Sequence, residues 1–199
     1  MKESGKNEVP VEKCPSPELV AHHEAGHAVV ALALCVDFEG VTTDGKNPVL
    51  KGLDTDMCGA RDEAEKRDMA EARLMTVFAG QAAERRFLNK DGVSTVSVFD
   101  SEQGDDKIAK KMLISLSANP EEVNSAFREE IDAYAQRLRV GAKNLLARPE
   151  HWASVVALAE ALLEEKTISP KRAQEIVKEA SQRVLDARPE PKVIRHEQE

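Results

Sequence analysis

The chain has few cysteine and aromatic residues and lacks a long hydrophobic run. It has 199 residues, of which three are cysteine, one is tryptophan and one is tyrosine. Cys14, Cys35 and Cys58 are odd in number and show no C-x-x-C spacing, so we expect reduced thiols in a cytoplasmic protein. No stretch provides the roughly 18 uncharged apolar residues that cross a membrane, and the polar N-terminal sequence predicts no signal peptide. We therefore expect no membrane partner.

Basic residues are fewer than acidic residues in this chain. The chain has 36 acidic and 28 basic residues, a formal net charge of −8 and a pI near 5.3. This balance argues against a nucleic-acid partner, because binding to nucleic acid depends on Lys and Arg contacts with phosphates. The length suits a single domain. We expect a disordered segment over residues 1–16, a folded domain over 17–187 and a flexible tail over 188–199.

One motif carries a specific chemical meaning. His23, Glu24 and His27 form the pattern H-E-x-x-H within the apolar run VAHHEAGHAVVALALCV. Ser16 can cap a helix at this point and a proline follows it at the first helical position, so a helix is predicted over Pro17–Val36. This helix is apolar around most of its circumference, which is typical of a buried helix.

The spacing of the motif suits a metal ion. Residues four apart on a helix lie roughly 6 Å apart on one face, so both imidazoles can bind one Zn²⁺ at about 2.0–2.1 Å. Glu24 lies within roughly 100° of both histidines and can face a water as the general base of a zinc hydrolase does. The alternative is that His23 and His27 are core histidines satisfied by backbone or carboxylate groups. The helical context favours metal ligands.

The rest of the chain indicates a mainly α fold with a small β-sheet (α+β). Strands are predicted at Phe38–Thr42 and Val49–Leu53, between Gly-, Asn- and Pro-containing turns. We divide the domain into a zinc-site part, residues 17–118, and a helical part that forms a C-terminal bundle, residues 119–187. Further helices are predicted over Arg61–Leu88, Asp105–Leu116, Pro120–Ala147, Pro149–Lys166 and Pro170–Leu185.

A third ligand is needed, since a catalytic zinc usually has three protein ligands and a water. Glu84 shares a helical sector with apolar residues in VFAGQAAERRF. Asp105 and Asp106 open a helix, where a carboxylate also suits the helix dipole. The residues alone leave these three acids open as ligand or as partner to a ligand.

Four segments together resemble a known family. HEAGHAVVALAL, FAGQAAERRF, GDDKIAKKML and ALLEEKTISPKRAQEI, in this order, resemble the peptidase domain of the FtsH family of ATP-dependent zinc metalloproteases. We expect the peptidase domain alone, without the AAA+ ATPase domain of that family. The resemblance implies peptide-bond hydrolysis, with Asp105 as third zinc ligand. Glu84 and Asp106 stay alternatives on the residues alone. The resemblance also implies a substrate-binding strand beside the cleft, formed by Val49, Leu50, Lys51, Gly52 and Leu53.

These features predict a zinc-dependent endopeptidase that acts on unfolded or flexible polypeptides. Gly40–Asn47 resembles a phosphate-binding loop but lacks its terminal hydroxyl and the helix after it, so we expect no use of ATP. The alternative is a non-proteolytic zinc-containing binding or regulatory protein derived from the protease fold. A homo-oligomer remains open, and the sequence does not identify the natural substrate.

Overall fold

The computed structural model describes residues 15–44, 49–51, 60–101, 104–117 and 124–187. These residues form a mainly helical fold with a small sheet, which confirms the predicted α+β class at this level. The predicted N-terminal segment, apart from residues 15 and 16, and the tail at 188–199 lie outside the described residues. The elements are α1 Pro17–Ala33, β1 Gly40–Thr42, β2 Val49–Lys51, α2 Glu63–Phe87, α3 Gly104–Ser115, α4 Ser125–Ala147, α5 Pro149–Glu165, β3 Thr167–Ile168 and α6 Pro170–Asp186.

Helix α1 begins as the sequence predicts. The Ser16 side chain accepts a hydrogen bond from the Leu19 N–H at 3.2 Å, and a proline occupies the first turn. The helix ends earlier than predicted, because Cys35 adopts the left-handed conformation, with φ 56°. The Val36 N–H then donates to the Ala31 carbonyl at 2.8 Å. This Schellman arrangement usually uses glycine, so a cysteine at position 35 did not predict it.

Helix α1 lies at the centre of the hydrophobic core. It packs against α2 on one side and α5 on another, which explains why it is apolar around its circumference. Helix α4 packs on α2, and α6 packs on α5. Buried residues of the predicted zinc-site part and the predicted helical part therefore belong to one continuous core.

The sheet has three strands in the order β2-β1-β3, and both neighbours of β1 are antiparallel to it. Val41 lies opposite Leu50 on one side and Ile168 on the other. The prediction missed β3, which is two residues long and pairs through a long-range contact. Strand β1 begins at Gly40, two residues later than predicted. Strand β2 covers Val49–Lys51, the described part of the second predicted strand, and Gly52 and Leu53 lie outside the described residues. Strand β2 contacts α1 from the edge of the sheet.

Among the described residues, none of the helices has the length and apolar character required to cross a membrane.

The close contact between α1 and α2 at Gly26 yields a stability prediction. A Cβ added at Gly26 would meet Ala83 Cβ at 2.5 Å and the Ala79 carbonyl oxygen at 2.8 Å, whereas one at Gly104 would meet nothing within 4 Å. Gly26→Ala should therefore push α1 from α2 and lower the free energy of unfolding by about 1–3 kcal/mol, the usual cost of overpacking. Gly104→Ala is the control, and chemical denaturation measures the free energy of unfolding of both variants. Equal stability of Gly26→Ala and Gly104→Ala would contradict the close contact.

Candidate metal centre

Three side chains from two helices converge at one point. His23 and His27 come from α1, and Asp105 comes from the first turn of α3. The two Nε2 atoms lie 3.0 Å apart, and Asp105 Oδ2 lies 3.0 Å from His23 Nε2 and 3.3 Å from His27 Nε2. These three residues form a group whose ligand atoms could hold one metal ion.

Helix α2 orients both imidazoles through their Nδ1 atoms. His27 Nδ1 donates to the Thr76 carbonyl oxygen at 2.7 Å, and His23 Nδ1 donates to Glu84 Oε2 at 3.3 Å. A neutral imidazole that donates from Nδ1 carries a lone pair on Nε2. Both Nε2 lone pairs are thus directed at the common point, which is the usual arrangement for metal-binding histidines supported by a carbonyl or carboxylate.

The converging atoms attract positive charge. With both Nδ1 atoms donating, the two Nε2 atoms and Asp105 Oδ2 are three acceptors in contact, and they require a proton or a cation between them. Burial opposes protonation, but hydrogen bonds to Asp105 and Glu84 raise the pKa of His23 to about 10. Burial likewise opposes the charge of Asp105, yet His27 and His23 hold the pKa of this carboxyl well below its usual range.

The dimensions of the group fit a zinc ion. Ligand atoms at 2.0–2.2 Å from a tetrahedral zinc are about 3.3–3.5 Å apart, close to the separations of 3.0, 3.0 and 3.3 Å seen here. The backbone of α2 also leaves room beside them. A Cβ added at Gly80 would lie 2.6 Å from His23 Nε2 and would overlap His27 Nε2. The absence of a side chain at this glycine keeps the ligand atoms accessible.

Glu24 contributes a buried carboxylate beside this group. The residue is 1% exposed, and its Oε2 atom has no hydrogen-bond partner among the described residues. Burial raises the pKa of Glu24, and the charges of His27 and His23 act in the opposite direction. A buried carboxylate oxygen without a partner is costly, so this atom is available to interact with a group bound at the centre.

The centre opens to solvent on one side. The side chains of His23 and Asp105 are 24% and 28% exposed, while that of His27 is 7% exposed. A water or a substrate can therefore approach from the side of His23 and Asp105. The rear of the site, at His27 and Glu24, is closed by the core.

The structure separates the three acids that the sequence left open. Asp105 lies with the two histidines, and Glu84 contacts Nδ1 of His23. Asp106 is not part of the group: its Oδ1 accepts a hydrogen bond from Arg139 at 2.7 Å. The roles of these residues toward a metal stay predictions.

Sequence reasoning missed two contributors to the centre. The Thr76 carbonyl is a backbone group, so no residue type marks it, whereas Gly80 was visible as a glycine inside a predicted helix. A glycine within a helix indicates a close approach, and this signal could have identified it. The adjacent His22 is packed instead: its Nδ1 donates to the Glu18 carbonyl at 2.7 Å and its ring stacks on Phe87.

A separate cavity of about 390 Å³ lies between the C-terminal ends of α2 and α4. Its lining includes Arg85, Arg86, Lys90 and Lys143, but none of the converging residues. Arg85 and Arg86 donate to the carbonyls of Asp91 and Leu146, so both arginines satisfy backbone groups. This cavity is not the metal centre.

No protein-family model matches the chain, and no curated protein matches it.

The space at Gly80 can be tested directly. Gly80→Ala should displace the two Nε2 atoms and weaken zinc binding by roughly tenfold or more, as loss of ligand orientation does. Gly141→Ala is the matched control, because the three atoms nearest to a Cβ there all belong to the flexible Met75 side chain, the closest being its terminal methyl at 2.9 Å. Both substitutions place alanine in a helix, so the helical circular dichroism signal should persist in each. Unchanged zinc affinity in Gly80→Ala would show that this space is not needed.

Proposed function

We propose that this chain is a zinc-dependent endopeptidase that hydrolyses peptide bonds of unfolded or flexible polypeptides without ATP. The observation that carries this proposal is the convergence of His23 Nε2, His27 Nε2 and Asp105 Oδ2 beside a buried Glu24 carboxylate. His23, His27 and Asp105 would hold the zinc. Two histidines and one carboxylate are the ligand set of several zinc peptidases.

Each residue has a distinct role in this chemistry. A zinc ion held by these residues would supply a Lewis acid for the scissile carbonyl and for a neighbouring water. Glu24 accepts a proton from the attacking water and returns it to the departing amine. Thr76 and Glu84 hold the imidazoles in the tautomer that presents Nε2 to the centre.

The sheet offers a way to hold an extended substrate. Among the described residues, β2 pairs on one side with β1 and forms the edge of the sheet. Val49, Leu50 and Lys51 could therefore bind a peptide as an additional strand, mainly through backbone hydrogen bonds. Such binding needs an extended chain, and opening a folded protein costs about 5–15 kcal/mol. Gly40–Asn47 lacks the residues of a phosphate-binding loop, so unfolded chains are the proposed substrates.

A zinc-containing binding protein without peptidase activity is the competing function. Such a protein would need the three ligands but no general base. The unpartnered Oε2 of Glu24 favours the peptidase, because a purely structural site gives no reason to bury a carboxylate next to the metal. The resemblance of four sequence segments to the FtsH-family peptidase domain supports the same choice.

Zinc content is the first prediction of this proposal. The purified chain should bind one zinc ion, and zinc in excess should raise its melting temperature because a ligand that binds the folded state stabilises it. His27→Ala should abolish both effects. His151→Ala is the control, since this histidine donates to the Leu145 carbonyl and lies outside the group. Elemental analysis and thermal denaturation provide the measurements. An absence of zinc uptake by the unaltered chain would refute the metal centre.

Loss of the general base is the second prediction. Glu24→Gln should keep the fold and the zinc but reduce the turnover of unfolded casein by roughly 100-fold or more. Glu18→Gln is the control on the same helix, because this side chain is exposed at the helix start. Cleavage by the unaltered chain should not change when ATP is added.

The same assay separates the two functions. A chain that binds zinc but cleaves no unfolded protein supports the binding protein. A Glu24→Gln variant with near-normal turnover assigns the base to another group.

A further inference from the structure

Two adjacent acids at the start of α3 contact different parts of the molecule. Asp105 reaches the two histidines, while Asp106 reaches Arg139 on α4. Consecutive helical residues differ by about 100° in direction. A contact that fixes the direction of Asp106 therefore also fixes the direction of Asp105.

The ion pair between Asp106 and Arg139 is the most buried one among the described residues. The Arg139 side chain is 4% exposed and the Asp106 side chain 3% exposed, and Nη2 lies 2.7 Å from Oδ1. By contrast, Arg137, which is two residues earlier on α4, pairs with Glu71 at 3.1 Å while 66% exposed. Solvent-exposed pairs restrain their partners weakly, whereas the buried pair can hold the first turn of α3 in one orientation.

Arg139 also holds the segment that leads into α3. Its Nη1 donates to the Val96 carbonyl at 2.8 Å and to the Ser94 carbonyl at 3.4 Å. The guanidinium lies over the Phe78 ring of α2, 5.0 Å from its centroid. One side chain on α4 thus connects the segment before α3, the first turn of α3 and the helix that orients the histidines.

The pair is poorly matched as a purely stabilising contact. Arg139 Nε and Asp106 Oδ2 are buried and have no hydrogen-bond partner among the described residues. A buried ion pair with unsatisfied atoms usually stabilises a fold no better than apolar side chains of similar volume. Apolar side chains could not make the directional contact that this pair makes with α3.

We propose that Arg139 is a positioning residue, which acts through Asp106 to direct the Asp105 carboxylate at His23 and His27. This inference rests on the proposed metal centre. It gives the predicted helical part of the chain a role in the centre, because α4 contributes the residue that orients the third ligand.

The test compares zinc affinity in full-length variants by competition with a chromophoric chelator. Arg139→Gln should weaken zinc binding roughly tenfold, the usual effect of losing a group that orients a ligand. It should also change the visible absorption spectrum of the Co²⁺-substituted protein, which reports ligand geometry. Arg137→Gln is the matched control on the same helix, and it should change neither property.

A double-variant comparison distinguishes positioning from general stabilisation. If Arg139 acts through Asp105, then Arg139→Gln should cause no further loss of zinc affinity in an Asp105→Ala background. An equal loss in both backgrounds would mean that Arg139 only stabilises the fold, and would overturn the proposal.

A second variant covers the case in which Arg139→Gln does not fold. Asp106→Leu combined with Arg139→Met replaces the ion pair with apolar side chains. This double variant should have a melting temperature close to that of the unaltered chain, but its zinc binding should stay weak. Wild-type affinity in this double variant would overturn the positioning role while leaving the metal centre intact. Failure of the unaltered chain to bind zinc would instead refute the metal centre and, with it, this inference.

Discussion

The close approach of α1 and α2 is the contact on which the centre depends. Gly26 on α1 faces the Ala79 carbonyl of α2, and Gly80 on α2 faces the two imidazoles. Because neither glycine has a side chain, the two helix backbones approach closely at these positions. As a result, the Thr76 carbonyl and the Glu84 carboxylate come within hydrogen-bond distance of His27 and His23. A wider separation would leave both Nδ1 atoms without these partners.

This packing creates an electrostatic problem in the core. Glu24 is 1% exposed and His27 is 5% exposed, so charges at this place are largely removed from water. Removing charge from water is expensive unless a charge of opposite sign or a hydrogen bond accompanies it. The Asp105 carboxylate and the imidazoles compensate each other's burial through hydrogen bonds and opposite charge. A divalent cation bound between them would compensate it more completely. Among the described residues, Glu24 Oε2 has no hydrogen-bond partner, so a cation bound at the centre would also reduce the cost of burying this carboxylate.

The C-terminal helices complete the site as well as the core. Helix α5 covers α1, while α4 covers α2 and contributes Arg139. The small sheet also contacts α1. In it, β3 pairs with β1, and just beyond these strands the Thr43 N–H donates to the Lys166 carbonyl at 2.9 Å. The parts of the chain that the sequence suggested treating separately are therefore linked through the sheet and through the core.

The local features of this protein follow from its sequence pattern. The 3.6-residue period places His23 and His27 on one face of a helix whose start is fixed by a serine cap and a proline. These features depend on residues within one or two turns of each other, so they can be predicted from the pattern. The end of α1 could not, because a left-handed Cys35 takes the place of the expected glycine.

The acid that lies with the histidines depends on how distant helices pack against each other. Glu84 lies within α2, whereas Asp105 and Asp106 are neighbours in the first turn of α3. Their partners lie 33 to 82 positions away in the chain, and no local pattern encodes such distances. The packing of α2, α3 and α4 sets the direction of each carboxylate, because a change of about 100° around a helix separates a contact with the histidines from a contact with Arg139.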